Sequence, residues 1–276
     1  MQEKINKKGN FREWSQRGIV HKRETFLLCY FLCFFIVLKN HKERYDSGMR
    51  AHVPTMSEKE IAKRHEWMKR VREDMARSGK EKDVLLPRSR LHLMVPWGVH
   101  PPLWEDSIIL AEAVEKETQS GMSVLDIGTG SGIQGIVAAL RGAFVLSTDI
   151  CPRAVQTARW NAERYQMDKK IEARESDCFN EIPEKFDRIF FNPPHLWFDS
   201  ENVLDHTITD PHYVLLQRFL DEARTHLEID GKIFIVCSTI GDIDYMQDII
   251  KNCGYHMRVH NTRISSSLWN YVVYEL

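Results

Sequence analysis

Five short apolar runs separated by helix-like stretches set what residues 123–238 can fold into. The runs are "SVLDI" (123–127), "AFVLSTD" (143–149), "IEARES" (171–176), "FDRIFFN" (186–192) and "KIFIVCS" (232–238). Helical spacing continues from the first run to about Arg141. It resumes from Pro152, a good first helical residue, to Met167, then over 211–228 and from Gly241 to Asn252. Strands that alternate with helices lie parallel, with the helices packed on both faces, which defines an α/β, doubly wound sheet. The chain ends in two strand-like runs, "YHMRVHNTRI" and "WNYVVYEL", joined by "SSS" with no helix between them. Such a pair adds an antiparallel edge.

Two strand ends carry chemistry. "VLDIGTGSGI" places Gly128, Gly130 and Gly132, with Thr129 and Ser131 between them, at a strand-to-helix turn. Glycines there admit positive φ and a close approach of backbone N–H groups to a ligand, and the helix N-terminus favours an anionic group. Asp149 ends the next run, where a carboxylate can accept from a ribose diol. A glycine loop of this kind serves NAD and S-adenosylmethionine alike. Asp126, just before the glycines, would repel a pyrophosphate but tolerates an ammonium group. The fourth run ends in Asn192-Pro193-Pro194-His195. Two prolines cannot continue a central ladder, and their fixed φ stiffens whatever Asn192 presents.

Together "VLDIGTGSG", "STDI", "ESDCF" and "FFNPPH" resemble the class I S-adenosylmethionine-dependent methyltransferases. The nearest branch is the one whose fourth strand ends in N-P-P-aromatic, which includes HemK-like glutamine methyltransferases and RNA or DNA N-methyltransferases. The resemblance covers roughly 95–276 and implies a Rossmann-like, seven-stranded, mostly parallel sheet with a reversed last strand. It also implies S-adenosylmethionine as cofactor. Gly128 to Gly132 would hold its methionine end, Asp149 its ribose hydroxyls, and Asp177 with Cys178 would border the adenine. "HPPLWEDS", with Trp104 and Asp106, is similar to the lead-in that closes over the cofactor. The Asn192 side-chain oxygen and the Pro193 carbonyl would each accept an N–H of a planar substrate amide or amine, fixing the nitrogen in line with the methyl group. His195 departs from the usual Tyr, Phe or Trp. Either the imidazole stacks on the substrate, with Trp197 able to substitute, or it caps the loop.

Other patterns read as structure. "DHTITDPH" brings His206 and His212 near Asp205 and Asp210, a spacing that suits a loop and helix N-cap ahead of Pro211 better than a metal site. Trp160 and Asn161 fit a helix packed on the sheet. No Ser–His–Asp pattern surrounds Ser147 or Ser238.

Ahead of this body, Ser57 and Glu60 form a capping box, with Ile61, Met68, Val71 and Met75 at helical spacing and Gly79 as a stop. "LHLMVPWGVHPP" reads as extended, and Trp104 to Lys116 as a helix with Ile108, Leu110, Ala111 and Val114 inward. The organisation expected is a basic and apolar segment over 1–55, a helical brace and linker over 56–94, and the methyltransferase domain over 95–276. Residues 1–90 carry 22 Lys/Arg against 12 Asp/Glu, although the whole chain is near neutral at −1. The body is therefore acidic, which disfavours duplex nucleic acid as partner. "FLLCYFLCFFIVL" (26–38) would span ~20 Å as a helix, against ~30 Å of bilayer hydrocarbon. It can dock at an interface or membrane surface, cover an apolar patch, or be translated upstream of a start at Met49 or Met56. The last is favoured and membrane contact ranks low. The six scattered cysteines include no C-x-x-C pair and fit a reducing, cytoplasmic setting without a metal. A protein amide leads as substrate, translation-related given the resemblance. An RNA base follows, then a small metabolite, with a non-enzymatic cofactor-binding scaffold as the contrasting reading.

Overall fold

The computed structural model describes residues 52–76, 80–85, 90–102, 104–200, 205–264 and 269–276. The apolar segment 26–38, Gly79 and the "SSS" linker lie outside them, as does the Met75 side chain.

Helix α1 (Glu58–Ala76) precedes a two-stranded antiparallel hairpin, β1 (Lys80–Leu85) and β2 (Arg90–Val95). Half of the expected capping box forms: the Glu60 carboxylate accepts from the Ser57 N–H at 2.9 Å, while the Ser57 hydroxyl donates to Glu60. Met68 and Val71 are buried as their spacing requires.

The body runs α2 (Glu105–Glu117), β3 (Ser123–Ile127), α3 (Ile133–Leu140), β4 (Phe144–Asp149), α4 (Pro152–Arg164), β5 (Ile171–Glu175) and β6 (Phe186–Phe191). It continues with α5 (Val214–Ala223), β7 (Leu227–Ser238), α6 (Ile243–Asn252), β8 (Arg258–Ile264) and β9 (Asn270–Glu275). The seven-stranded sheet has the order β5-β4-β3-β6-β7-β9-β8. Pairs among β3 to β7 are parallel, and β9 is antiparallel to both its neighbours. This is the Rossmann-like arrangement with a reversed last strand. Strand order turns round between β3 and β6, and such a switch point opens a crevice at the carboxyl ends of the strands. Ile127 pairs with Phe191 there, so the glycine loop and Asn192 leave the sheet side by side.

Alternate side chains of each strand enter two apolar layers. Val124, Phe190, Phe234 and Val236 face one side with Ile109, Leu110 and Val114 of α2 and Ile136 of α3. Leu125, Ile189, Phe191, Ile233 and Ile235 face the other with Phe219 of α5 and Ile250 of α6. Complete burial of such side chains stabilises the fold by about 1.5–3 kcal/mol each. Ile108, expected inward, is only partly buried, and Ile109 takes its place.

Three elements differ from the sequence reading. The helix expected over 211–228 is a 3-10 turn (Pro211–Tyr213), α5, and a second 3-10 turn (Arg224–His226). The two Asp210 carboxylate oxygens accept from the Leu215 and Leu216 N–H groups at 2.9 Å each, so α5 starts late. Strand β7 begins five residues earlier than its apolar run, pairing Leu227 with Phe186 across a bulge. Strand β1, "KEKDVL", has no apolar alternation to announce it; the pairing partner β2 makes it a strand.

Candidate functional site

The loop after β3 bends through positive φ at Gly128, Gly130 and Gly132. Gly132 needs glycine for a second reason: a Cβ there would lie 3.0 Å from the Ala158 Cα of α4. The Thr129 N–H donates to the Thr148 carbonyl at 2.8 Å, and the Gly130 N–H to Asp149 Oδ2 at 3.0 Å. Asp149 Oδ1 accepts from Cys151 N–H at 2.9 Å. Burial outweighs both hydrogen bonds and pushes the Asp149 carboxyl above its ordinary pKa. Asp126 lies beneath the loop, its Oδ2 accepting from the Thr129 hydroxyl (2.5 Å) and the Gly135 N–H (3.0 Å). Burial, with the charge of Asp149 adding to it, lifts Asp126 to about 6 against those hydrogen bonds.

At the tip of β6 the Asn192 Nδ2 donates to Asp106 Oδ2 (3.2 Å) and approaches the Ser107 hydroxyl (3.4 Å). A carboxylate can only accept, so Asp106 decides which end of the amide is which. Asn192 Oδ1 is thereby left buried and without a hydrogen-bond partner. Asp106 Oδ1 accepts from the Ser107 N–H at 2.7 Å, and Oδ2 also lies 3.7 Å from His195 Nε2. Burial works to raise the Asp106 pKa, but the His195 and His100 imidazoles and the Ser107 N–H hold it down at about 2. The same burial pushes His100 down to about 4.

His195 is 8 % exposed and neither of its ring nitrogens has a hydrogen-bond partner, so its side chain does not cap the loop. Its carbonyl accepts from the Tyr213 hydroxyl at 3.0 Å, and that hydroxyl accepts from the Asp242 N–H at 2.7 Å. Leu196 N–H donates to Ile208 O and Asp210 N–H to Leu196 O, which ties down the chain that follows.

A single cleft opens at the switch point. Asp126, Gly128 to Ser131, and Asn192 to His195 all line it. Asp149, Asp177 and Cys178 do not; Asp149 touches it only through the loop. Asp177 is held away by Arg218, whose Nη1 donates to its carboxylate at 2.7 Å. Cys178 follows in a left-handed turn, its thiol raised to about 12 by burial. Trp197 is buried among His52, Phe198 and Tyr213 and is absent from the cleft lining, so it does not stand in for an aromatic after the prolines.

The sequence reading missed Ser107, His100, Gln134, Tyr271 and Trp67, all of which line the cleft. Ser107 had a signal, being adjacent to Asp106. Trp67 had none beyond being a lone aromatic on a charged helix.

The lining contains the buried carboxylates of Asp106 and Asp126 and, among the described residues, no Lys or Arg. Such a donor set fits a ligand carrying positive charge and leaves a pyrophosphate unpaired. Among the described residues no group of three or more His, Cys, Asp or Glu is placed to hold a metal ion. No helix among them is long and apolar enough to cross a membrane.

A crevice at the switch point, with a glycine loop on one strand end and Asn-Pro-Pro on the next, defines a class I methyltransferase type of site. The family model for the methyltransferase small domain matches residues 105–264, and the chain belongs to that family. It is 31% identical over 158 residues to the release factor glutamine methyltransferase of Streptococcus pneumoniae, an alignment covering 52% of this chain and 56% of that relative. It is 36% identical over 115 residues to the ribosomal protein L11 methyltransferase of Dictyoglomus turgidum, covering 41% of this chain and 36% of the relative. The chain thus spans little more than half the length of these curated relatives, or less. Among solved structures, the T. thermophilus 16S rRNA N2 G1207 methyltransferase in complex with AdoMet and guanosine superposes with a TM-score of 0.52 at 19% identity. That superposition covers 71% of this chain and 50% of that one, and it speaks for the fold.

Proposed function

We propose that this protein transfers a methyl group from S-adenosylmethionine to a planar nitrogen, with a glutamine-type side-chain amide of a protein as acceptor. The observation that carries the reading is Asn192 Oδ1, a buried acceptor without a partner, oriented by Asp106 and backed by two prolines.

When bound, S-adenosylmethionine supplies an electrophilic methyl group on a sulfonium centre. The glycine loop Gly128 to Gly132 takes the methionine end, with Asp126 favouring its ammonium. Asp149 has lone pairs left for ribose hydroxyls, while Asp177, held by Arg218, and the buried Cys178 lie outside the cleft. Asn192 Oδ1 and the Pro193 carbonyl accept the two N–H groups of the amide. Both acceptors are rigid before substrate arrives, so their dipoles meet charge developing on nitrogen without reorganisation. No strong base is needed, because an amide nitrogen that has gained a methyl group gives up its proton readily.

The likeness to enzymes named for glutamine and ribosomal-protein methylation supports a protein acceptor in translation. So does the lack of Lys and Arg among the described lining residues, since phosphates want cations. The basic stretch 49–90, with 12 Lys/Arg against 7 Asp/Glu, favours an RNA base as the second reading.

Calorimetric titration of the full chain with S-adenosylhomocysteine tests the cofactor. Residues 52–57 belong in it, because His52 and Thr55 both bind Asp242. Binding is expected, weakened at least about tenfold (about 1.4 kcal/mol) by Asp149→Ala. Asn192→Ala is expected to keep cofactor binding and lose about 10²–10³-fold in transfer to a glutamine peptide. Binding of NADH in place of S-adenosylhomocysteine would replace the reading with a dehydrogenase.

A further inference from the structure

The loop that follows β6 is fixed at its front end by the sheet and by the hydrogen bond between Asn192 and Asp106. Its next two residues, Pro193 and Pro194, have no N–H that could tether them. Holding the rest of the loop therefore falls to its carbonyl oxygens. The His195 carbonyl takes that part, accepting from the Tyr213 hydroxyl at 3.0 Å. Gly241 closes on the same spot. A Cβ there would overlap the His195 carbonyl oxygen and come within 3.0 Å of the Tyr213 hydroxyl, so the close approach requires glycine.

Tyr213 reaches this carbonyl through an unusual turn. It is 0 % exposed, and its backbone, like that of His212 before it, is left-handed (φ 60° and 56°). Bulky L residues rarely adopt that conformation, and two in succession persist only where the surroundings impose them. The Tyr213 N–H donates to the Asp210 carbonyl at 2.9 Å and the His212 N–H to the Trp197 carbonyl at 3.1 Å, the second tying the turn to the chain just past His195. A phenylalanine would fill the same space among His52, Trp197 and Tyr245. The hydroxyl adds a relay, accepting from the Asp242 N–H at 2.7 Å while it donates to His195. Burial raises it well above the ordinary tyrosine pKa, so it stays a donor. Asp242 is held in turn from outside the matched family domain. Its carboxylate accepts from the Thr55 N–H (2.9 Å) and hydroxyl (2.8 Å) and lies 2.9 Å from His52 Nε2.

We infer that Tyr213 is the positioning residue of this loop: through the His195 carbonyl it fixes the far end of Asn192–His195, and with it the direction in which the Asn192 and Pro193 oxygens point. Tyr213 is absent from the cleft lining, so it acts on a substrate only through the loop. The inference rests on the methyltransferase reading but not on which planar nitrogen is methylated. Misplacing a reacting group by about 1 Å can lower a rate on the order of 10²-fold, which is the scale on which a slack loop would be felt.

The test compares Tyr213→Phe with Tyr255→Phe in the full chain. The Tyr255 hydroxyl donates to the Leu220 carbonyl at 2.9 Å, buried and away from the cleft, so its variant loses the same kind of bond elsewhere. Gly241→Ala is the second variant, pushing on the His195 carbonyl with the tyrosine in place. Amide hydrogen exchange over residues 195–198, with S-adenosylhomocysteine saturating, is expected to quicken about tenfold or more in Tyr213→Phe and Gly241→Ala and to stay unchanged in Tyr255→Phe. With a glutamine peptide, kcat per bound cofactor site should fall by about 10- to 10²-fold in the first two, while KM and S-adenosylhomocysteine affinity stay within about twofold. Tyr255→Phe should keep the wild-type kcat. Equal losses in Tyr255→Phe would mean a general loosening of the fold and overturn the inference. So would wild-type exchange in Tyr213→Phe, or faster exchange with kcat intact. If the wild type binds S-adenosylhomocysteine yet leaves the peptide unmethylated, the glutamine acceptor falls and the exchange comparison alone decides for or against Tyr213. Failure of S-adenosylhomocysteine to bind removes the methyltransferase reading, and the role of Tyr213 with it.

Discussion

Asp106 shows how one side chain can set the chemistry of another. It holds Asn192 from 86 residues away in sequence, and it does so ionised, at a pKa of about 2. A neutral partner could not impose the same orientation, because an amide offers a donor and an acceptor at nearly equal cost. Asp106→Asn leaves the shape intact but frees Asn192 to turn its NH₂ into the cleft. The expected outcome is a loss of about 10²-fold in kcat, the scale of a misplaced reacting group, with S-adenosylhomocysteine affinity little changed. Steady-state kinetics beside calorimetry measures both. A parallel loss of cofactor affinity would place Asp106 in the cofactor's site instead.

Helix α1 is the element whose role depends most on distant partners. Arg72 meets Asp205, whose side chain is fully buried, so removing the arginine takes a charged partner from a carboxylate in the interior. Arg72→Ala is expected to destabilise the fold by about 3–5 kcal/mol, and Arg72→Ala with Asp205→Ala by less than the sum of the single changes. Urea denaturation of the four proteins closes the cycle, and additive losses would mean the pair is not coupled. This latch also marks the edge of what the sequence discloses. The strands β3, β4 and β6 were legible because a buried parallel strand is a short apolar run, and the glycine loop and Asn192 because turn chemistry is local. Ser57 and Glu60 were legible as a helix start for the same local reason. The hairpin strand β1, the late start of α5 at an Asp210 cap, and Trp67 in the cleft were not. Each depends on a partner brought up by tertiary folding, and no spacing rule records that.

At the scale of the whole molecule, Asp126 and Asp210 oppose Asp106 and Asp242 among the described buried carboxylates. Burial pushes Asp126 to about 6 and Asp210 to about 7, against the hydrogen bonds each accepts. Burial also acts to raise Asp106 and Asp242, yet imidazole and N–H partners hold each at about 2. The raised pair binds more protons folded than unfolded, so its stabilisation is full below the ordinary carboxyl pKa and lost as pH rises through 6 to 7. The lowered pair stabilises above the ordinary value and loses that contribution as pH falls towards 2. The two slopes leave a maximum near pH 4, with stability declining from about pH 4 to about pH 7 through the raised pair. Urea midpoints at pH 5, 6.5 and 8 measure the decline. Asp210→Asn keeps an acceptor for the α5 amide groups but cannot ionise, so its midpoint should vary less across that window, and the two curves should converge at the acid end. His100, held neutral by burial at about 4, adds stability as pH rises to about 6.5, so only a wild-type midpoint that rises between pH 6.5 and pH 8 would mean that Asp126 and Asp210 ionise in the fold as easily as in water. The glycine loop would then rest on a carboxylate charged throughout this range, and the preference of the cleft for a cationic ligand would be stronger still.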